Sequence, residues 1–121
     1  MAQQDATHDR RIDYIEIAAT DIAATKRFYQ GVFGWKFTDY GPDYTSFEDG
    51  RLNGGFYKAG SARPGGGSVL VVIFAVQLEA MEQKVRAAGA KIVKPIFSFP
   101  GGRRFHFADP SGNELAVWSD K

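Results

Sequence analysis

The order of segments in this chain repeats, and that repetition limits the fold more than any single motif does. An alternating run, "IDYIEIA", leads into a helical one, "TDIAATKRFYQGVFG", and three short strand-like runs follow: "WKFTDY", "YTSFED" and "LNGGFYKA". Later the apolar strand "VLVVIFAV" leads into the helix "LEAMEQKVRAAG", followed by "AKIVKPI", "RRFHFAD" and "ELAVWS". The helices superimpose by a shift of 56 residues, which sets Ile22, Tyr29 and Val32 on Leu78, Val85 and Ala88. Each half therefore predicts a sheet with one helix-covered face, and joining the halves leaves the opposite faces lining a common trough. The expected fold is α+β, two βαβββ modules forming a curved mixed sheet, with the trough as the natural ligand site.

Local signals place the boundaries. Thr20 or Asp21 is the N-cap of the first helix and Gly34 its stop, while Gly89 ends the second. Gly41-Pro42 and Asp49-Gly50 separate the strands of the first half. The run "GSARPGGGS" is too rich in Gly and Pro for an element. The expected organisation is a polar tail over residues 1–11 and one domain over 12–119, with modules at about 12–59 and 68–119 and a connector at 60–67.

Composition bounds the function. A chain of 121 residues buries a core without staples, and no cysteine is present to form a disulfide, a thiol nucleophile or a thiolate metal site. A formal net charge of +1 with no basic run makes nucleic acid an unexpected partner. The polar start and the lack of a long apolar run predict no membrane association and a cytoplasmic location.

With "DIAATKRFYQGVFGWKF" near its start and "FADPSGNELAVW" near its end, the chain resembles the vicinal oxygen chelate superfamily over roughly residues 12–119. That superfamily includes glyoxalase I, bleomycin-resistance proteins, fosfomycin-resistance enzymes and extradiol dioxygenases. The segments "FYQGVFGWKF" and "DPSGN" are most similar to its short lactoylglutathione-lyase-related branch. Read physically, Phe28, Tyr29, Phe33 and Trp35 belong to a helix-to-sheet core, and "DPSGN" is a turn that places the last strand. The resemblance further implies a homodimer, and metal ligands on the first, fourth, fifth and last strands, all pointing into the trough. Carried over, those positions are Tyr14, Gly55 or Phe56, Val71 and Ala116, none of which is His, Glu or Gln. A divalent metal needs three or four converging N or O donors, so no metal or other cofactor is expected.

Strand parity puts Tyr14, Glu16 and Ala18 on one face, Arg104 and His106 on another, and Ala116 with Trp118 on a third; by resemblance these face the trough. The ligand wall expected is therefore Tyr14, Phe56, Val71, Arg104, Ala116 and Trp118, with His106 as acid or base and Glu16 orienting it or acting alone. As structural residues, Glu16 and Arg104 would instead pair across the sheet. The function expected is binding of a small organic molecule, with a metal-free lyase or isomerase step. The alternatives are a non-catalytic protein that sequesters a drug-like or metabolite ligand, and an interaction module with no pocket.

Overall fold

In a computed structural model, which describes residues 6–60 and 69–121, each module opens with a strand and a helix whose ends follow from their own side chains. Strand β1 (Tyr14–Ala19) leads to helix α1 (Ile22–Phe33), where Asp21 is extended and its carboxylate accepts from the Ala24 N–H at 3.0 Å. The helix stops where Gly34 turns left-handed, φ 74°, a conformation that a Cβ resists. Helix α2 (Leu78–Ala87) has no side-chain cap at Gln77 but carries Glu79 in its first turn and Lys84 and Arg86 in its last, all favourable to its dipole.

Strands β2 (Lys36–Asp39), β3 (Tyr44–Glu48) and β4 (Asn53–Lys58) complete the first module, and β5 (Val71–Phe74), β6 (Lys91–Phe99), β7 (Gly102–Ala108) and β8 (Glu114–Ser119) form the second with α2. The two sheets have the same topology, β1-β4-β3-β2 and β5-β8-β7-β6, with the first and last strands of each module parallel. The curved mixed sheet is thus two four-stranded sheets, and among the described residues no ladder joins the free edges of β1 and β5. The apolar run "VLVVIFAV" yields only a four-residue strand, β5, which pairs on one side alone, with Leu115–Trp118. Pro95 sits within β6, which tolerates it as an edge strand, and the register with β7 shifts on both sides of Lys94. The expected connector, apart from Gly60, lies outside the described residues, as do the first five residues of the tail.

The helix-facing sides of both sheets share one core. Tyr29, Trp35 and Phe47 stack in series at 4.7 and 4.6 Å between ring centroids, and Phe56 lies 5.1 Å from Tyr29. Phe28 and Phe33 of the first module reach Phe107 of the second at 5.7 and 6.0 Å. Aromatic pairs of this kind add about 0.5–1.5 kcal/mol each beyond their area.

The modules are also tied by polar contacts at "DPSGN". Asp109 Oδ1 accepts from the Ser111 and Asn113 N–H groups, both at 2.9 Å, and Oδ2 accepts from Tyr29 Oη at 2.9 Å and Asn113 Nδ2 at 3.1 Å. Asn113 Nδ2 donates also to the Ala18 carbonyl, at 2.7 Å, and the Thr20 N–H donates to Ser111 Oγ at 2.8 Å. Burial pushes the Asp109 carboxyl above its usual pKa against the pull of these donors, and pushes the Tyr29 phenol well up.

Tyr29→Phe should therefore cost about 1–3 kcal/mol in urea denaturation, the penalty for leaving a buried carboxylate short of a donor. A raised folded pKa means the native state binds the Asp109 proton more tightly than the unfolded chain does. That contribution is present in full below the unfolded pKa and is lost as pH rises through the folded one. The melting point of wild type relative to Asp109→Asn should accordingly rise on acidification from neutral toward about pH 4. A flat difference would contradict the assignment.

Candidate functional site

Alternation along β1 sends Ile15, Ile17 and Ala19 toward the helices and Tyr14, Glu16 and Ala18 to the opposite face. On that face the register sets Glu16 beside Gly55 of β4, which in turn faces Ser46 of β3. Tyr44 crosses above Gly55, its hydroxyl donating to Glu16 Oε2 at 2.9 Å and lying 2.7 Å from Tyr14 Oη. Since an ionised carboxylate only accepts, the Tyr44 proton points at Glu16 and the Tyr14 hydroxyl donates to Tyr44. A Cβ on Gly55 would overlap the Tyr44 phenol and come within 2.9 Å of Tyr14 Oη, so the glycine makes room for this relay. Burial, and then the bonds to Tyr14 and Glu16, raise the Tyr44 pKa, which keeps the phenol protonated.

The second sheet builds its own face by the same rule. Val72 pairs with Ala116 and Ala116 with His106; Phe74 pairs with Trp118 and Trp118 with Arg104; Glu114 pairs with Ala108. His106 Nδ1 lies 2.8 Å from Glu114 Oε2, and His106 is only 3% exposed. With Glu114 ionised, Nδ1 carries the hydrogen and donates, and Nε2 is buried with no partner among the described residues. The Phe97 ring lies 5.8 Å from the imidazole. Arg104 lies across two rings, its guanidinium carbon 5.3 Å from the centroid of Phe97 and 5.4 Å from that of Phe99, with its Nε buried and unpaired. Trp118 completes the wall, 5.3 Å from Phe74 edge-on and 6.3 Å from Phe99.

Tyr14 and Glu16 thus share one inner face, and Arg104, His106, Ala116 and Trp118 share the other. Three expectations are corrected. Phe56 is fully buried on the helix side, because it pairs with Ile17 and packs on Tyr29, Phe37 and Phe47; the inner-face position of β4 is Gly55. Val71 pairs with Leu115 and packs partly on the core, so the inner-face residue of β5 is Val72, while the exposed part of Val71 lines the cavity at the β1–β5 seam. Glu16 bonds to Tyr44 and not to His106 or Arg104; the carboxylate that orients His106 is Glu114. Glu114 stands two residues before Ala116, so parity was sufficient to place it on this face. Tyr44, Phe97 and Phe99 gave no such signal.

A metal of the family's usual kind does not fit these residues. The inner-face positions of the four strands are Tyr14, Gly55, Val72 and Ala116, and among the described residues no three His, Asp or Glu side chains converge to hold an ion. His8 is exposed at the end of a short 3₁₀ turn, Ala6–His8.

Comparison with known proteins gives a consistent picture. The family model "Glyoxalase/Bleomycin resistance protein/Dioxygenase superfamily" matches residues 11–117. The anthracycline biosynthesis protein DauV of Streptomyces sp. (strain C5) is 32% identical over 124 residues, covering 87% of this chain and 45% of its own. The putative glyoxylase CFP32 of Mycobacterium tuberculosis is 27% identical over 118 residues, covering 88% of this chain and 44% of its own. The chain therefore spans less than half the length of these curated relatives. Among solved structures, a glyoxalase-related enzyme from Fulvimarina pelagi superposes with a TM-score of 0.76 at 21% identity, covering 91% of this chain and 88% of that one. The fosfomycin resistance protein FosX of Listeria monocytogenes, complexed with Mn(II) and a dihydroxypropylphosphonic acid, gives 0.78 at 16% identity over 90% and 89%.

The relay over Gly55 gives a direct test. Gly55→Ala should destabilise the chain by about 1–3 kcal/mol, and by less in a Tyr44→Ala background where the space is open. Equal cost in both backgrounds by urea denaturation would show that the glycine serves something else.

Proposed function

Because the chain belongs to the glyoxalase/bleomycin resistance protein/dioxygenase superfamily, we propose that it binds a small planar organic molecule in the trough between its two sheets, without a divalent metal. One observation carries this reading. Phe74, Trp118, Phe99 and Phe97 line one inner face in continuous ring contact with Arg104, a surface suited to an aromatic or conjugated ligand. Phe74 is 52% exposed, more than a core aromatic would be.

The chemistry available is proton transfer. His106 has Nδ1 on Glu114 and Nε2 buried, so it acts as a base only in a bound state that uncovers Nε2: there it takes a proton from a substrate atom to give an imidazolium paired with Glu114, and returns that proton to a neighbouring atom in an isomerase step or to a leaving group in a lyase step. The burial of Nε2 beside Phe97 supports a second reading, in which the protein sequesters its ligand without turning it over. The exposed apolar side chains along and beside β5, including Val69, Val72, Phe74 and Val76, support a homodimer. No helix of the described residues is long and apolar enough to cross a membrane.

Titration with conjugated carbonyl compounds separates these readings. Saturable quenching in wild type that vanishes in Trp118→Phe, with weaker calorimetric affinity, is expected, since Trp35 is buried in the core. Equal quenching in both proteins removes Trp118 from the site. His106→Ala should abolish turnover while largely keeping binding if the protein is an enzyme; a wild type that binds with no turnover supports sequestration.

Native mass spectrometry should show two chains per particle and no stoichiometric divalent metal. One metal per chain, with a melting point lowered by chelator, would overturn the metal-free reading.

A further inference from the structure

Two arginines stand side by side on β7, and their surroundings are opposite. Arg103 reaches α2, where Nη1 and Nη2 donate to the two Glu79 oxygens, and its Nε donates to the Lys121 carbonyl at 3.0 Å. Arg104, on the inner face, has no hydrogen bond and no ion pair among the described residues. The inner-face carboxylates are engaged elsewhere, Glu16 by Tyr44 and Glu114 by His106. Arg104 is in register with Trp118 and Ala108 with Glu114, so Arg104 and Glu114 stand at opposite ends of the β7–β8 pair, four residues or roughly 13 Å apart at strand rise.

What holds Arg104 is aromatic. Its guanidinium carbon lies 5.3 Å from the Phe97 centroid and 5.4 Å from that of Phe99, and Phe99 lies 6.3 Å from Trp118. Nε is buried and unpaired, whereas neither Nη is among the buried unpaired atoms, so both remain open on the face. Ring faces attract the positive charge but are poor acceptors for directed N–H bonds, which leaves the Nη hydrogens without a protein acceptor. The two rings also restrain the fork, so little side-chain freedom is lost when it meets a ligand. Trp118 lines, with Val72 and Phe74, a groove of about 1120 Å³, which gives a planar body room beside the fork.

We propose that Arg104 is the anion-recognition residue of the trough: its two Nη groups take the two oxygens of a carboxylate on the ligand, while the ligand's aromatic body lies on Trp118 and Phe74. The ligand class is a planar aromatic or conjugated carboxylate. Such a group supplies at once the counter-charge and the paired acceptors that the inner face withholds from Arg104, whereas a neutral carbonyl supplies no counter-charge and an amine is repelled. The inference rests on the aromatic trough proposed above and adds the charge of its ligand.

The test uses 2-naphthoate, 2-naphthamide and 2-naphthylmethylamine as probes, with Trp118 fluorescence and calorimetry as readouts. Naphthoate should bind about tenfold or more tightly than naphthamide, as expected for charge-assisted hydrogen bonds, and the amine most weakly. The ratio of the naphthoate and naphthamide affinities is read within each protein, so a general loss of binding or stability cancels. That ratio should fall to about twofold or less in Arg104→Gln and to an intermediate value in Arg104→Lys, which keeps the charge but not the fork. Arg103→Gln, which removes the same charge one residue away, should leave it as in wild type; an equal fall there would show an effect of net charge and overturn the assignment. If naphthoate and naphthamide bind wild type alike and both alter Trp118 fluorescence, the anion site is overturned and the aromatic trough stands. If no probe alters Trp118 fluorescence or releases heat, the trough reading fails and the anion site falls with it.

Discussion

The buried Asp109 carboxylate is the point from which the arrangement of the two modules follows. An uncompensated charge is costly away from water, so the chain around it must supply donors, and it does so from both halves. Two backbone N–H groups and the Asn113 amide come from its own turn, and the fourth donor is Tyr29 of α1, eighty residues away in sequence. Satisfying Asp109 therefore requires α1 to lie against the turn before β8. The same docking brings Phe28 and Phe33 onto Phe107, and the Asn113 contact to Ala18 fixes the end of β1 beside the start of β8. The two modules are held together by contacts on the helix side and at the turn before β8.

That docking explains how bulk is divided between the faces. The helix side takes the interlocking aromatics, where Gly54 has no Cβ because one would overlap the Phe47 ring and the Ile15 carbonyl. Its neighbour Gly55 is bare for the opposite reason, to admit Tyr44 on the inner face. Two adjacent glycines thus thin β4 on both sides, one for packing and one for a polar relay.

Much of this was legible in the chain. The repeated order of elements, the caps at Asp21 and Gly34, and the parity of Tyr14, Glu16, Ala116 and Trp118 come from local rules that need no knowledge of distant partners. The failures are as instructive. "NGGF" offers no alternation where the glycines stand, and "VLVVIF" is apolar at every position, so neither reveals which residue faces inward; Phe56 and Val71 were each one place out. Glu114 was chosen over Glu16 as the partner of His106 by a cross-strand diagonal, and Phe97 was carried over the imidazole by the register shifts around Lys94. Such pairings depend on strand registration, which strand periodicity alone does not encode.

The inner-face substitutions also form a set. A metal site needs converging donors and tolerates little else at its centre, whereas here Tyr14 is tied to Tyr44, Gly55 is hollow and Ala116 is fully buried beside His106. The acidic and imidazole groups present stand at neighbouring positions and are satisfied in pairs, Glu16 with Tyr44 and Glu114 with His106. In the ligand-binding reading, selectivity would come from the shape of the aromatic wall and the placement of Arg104 on Phe97 and Phe99, both set by the register of the second sheet.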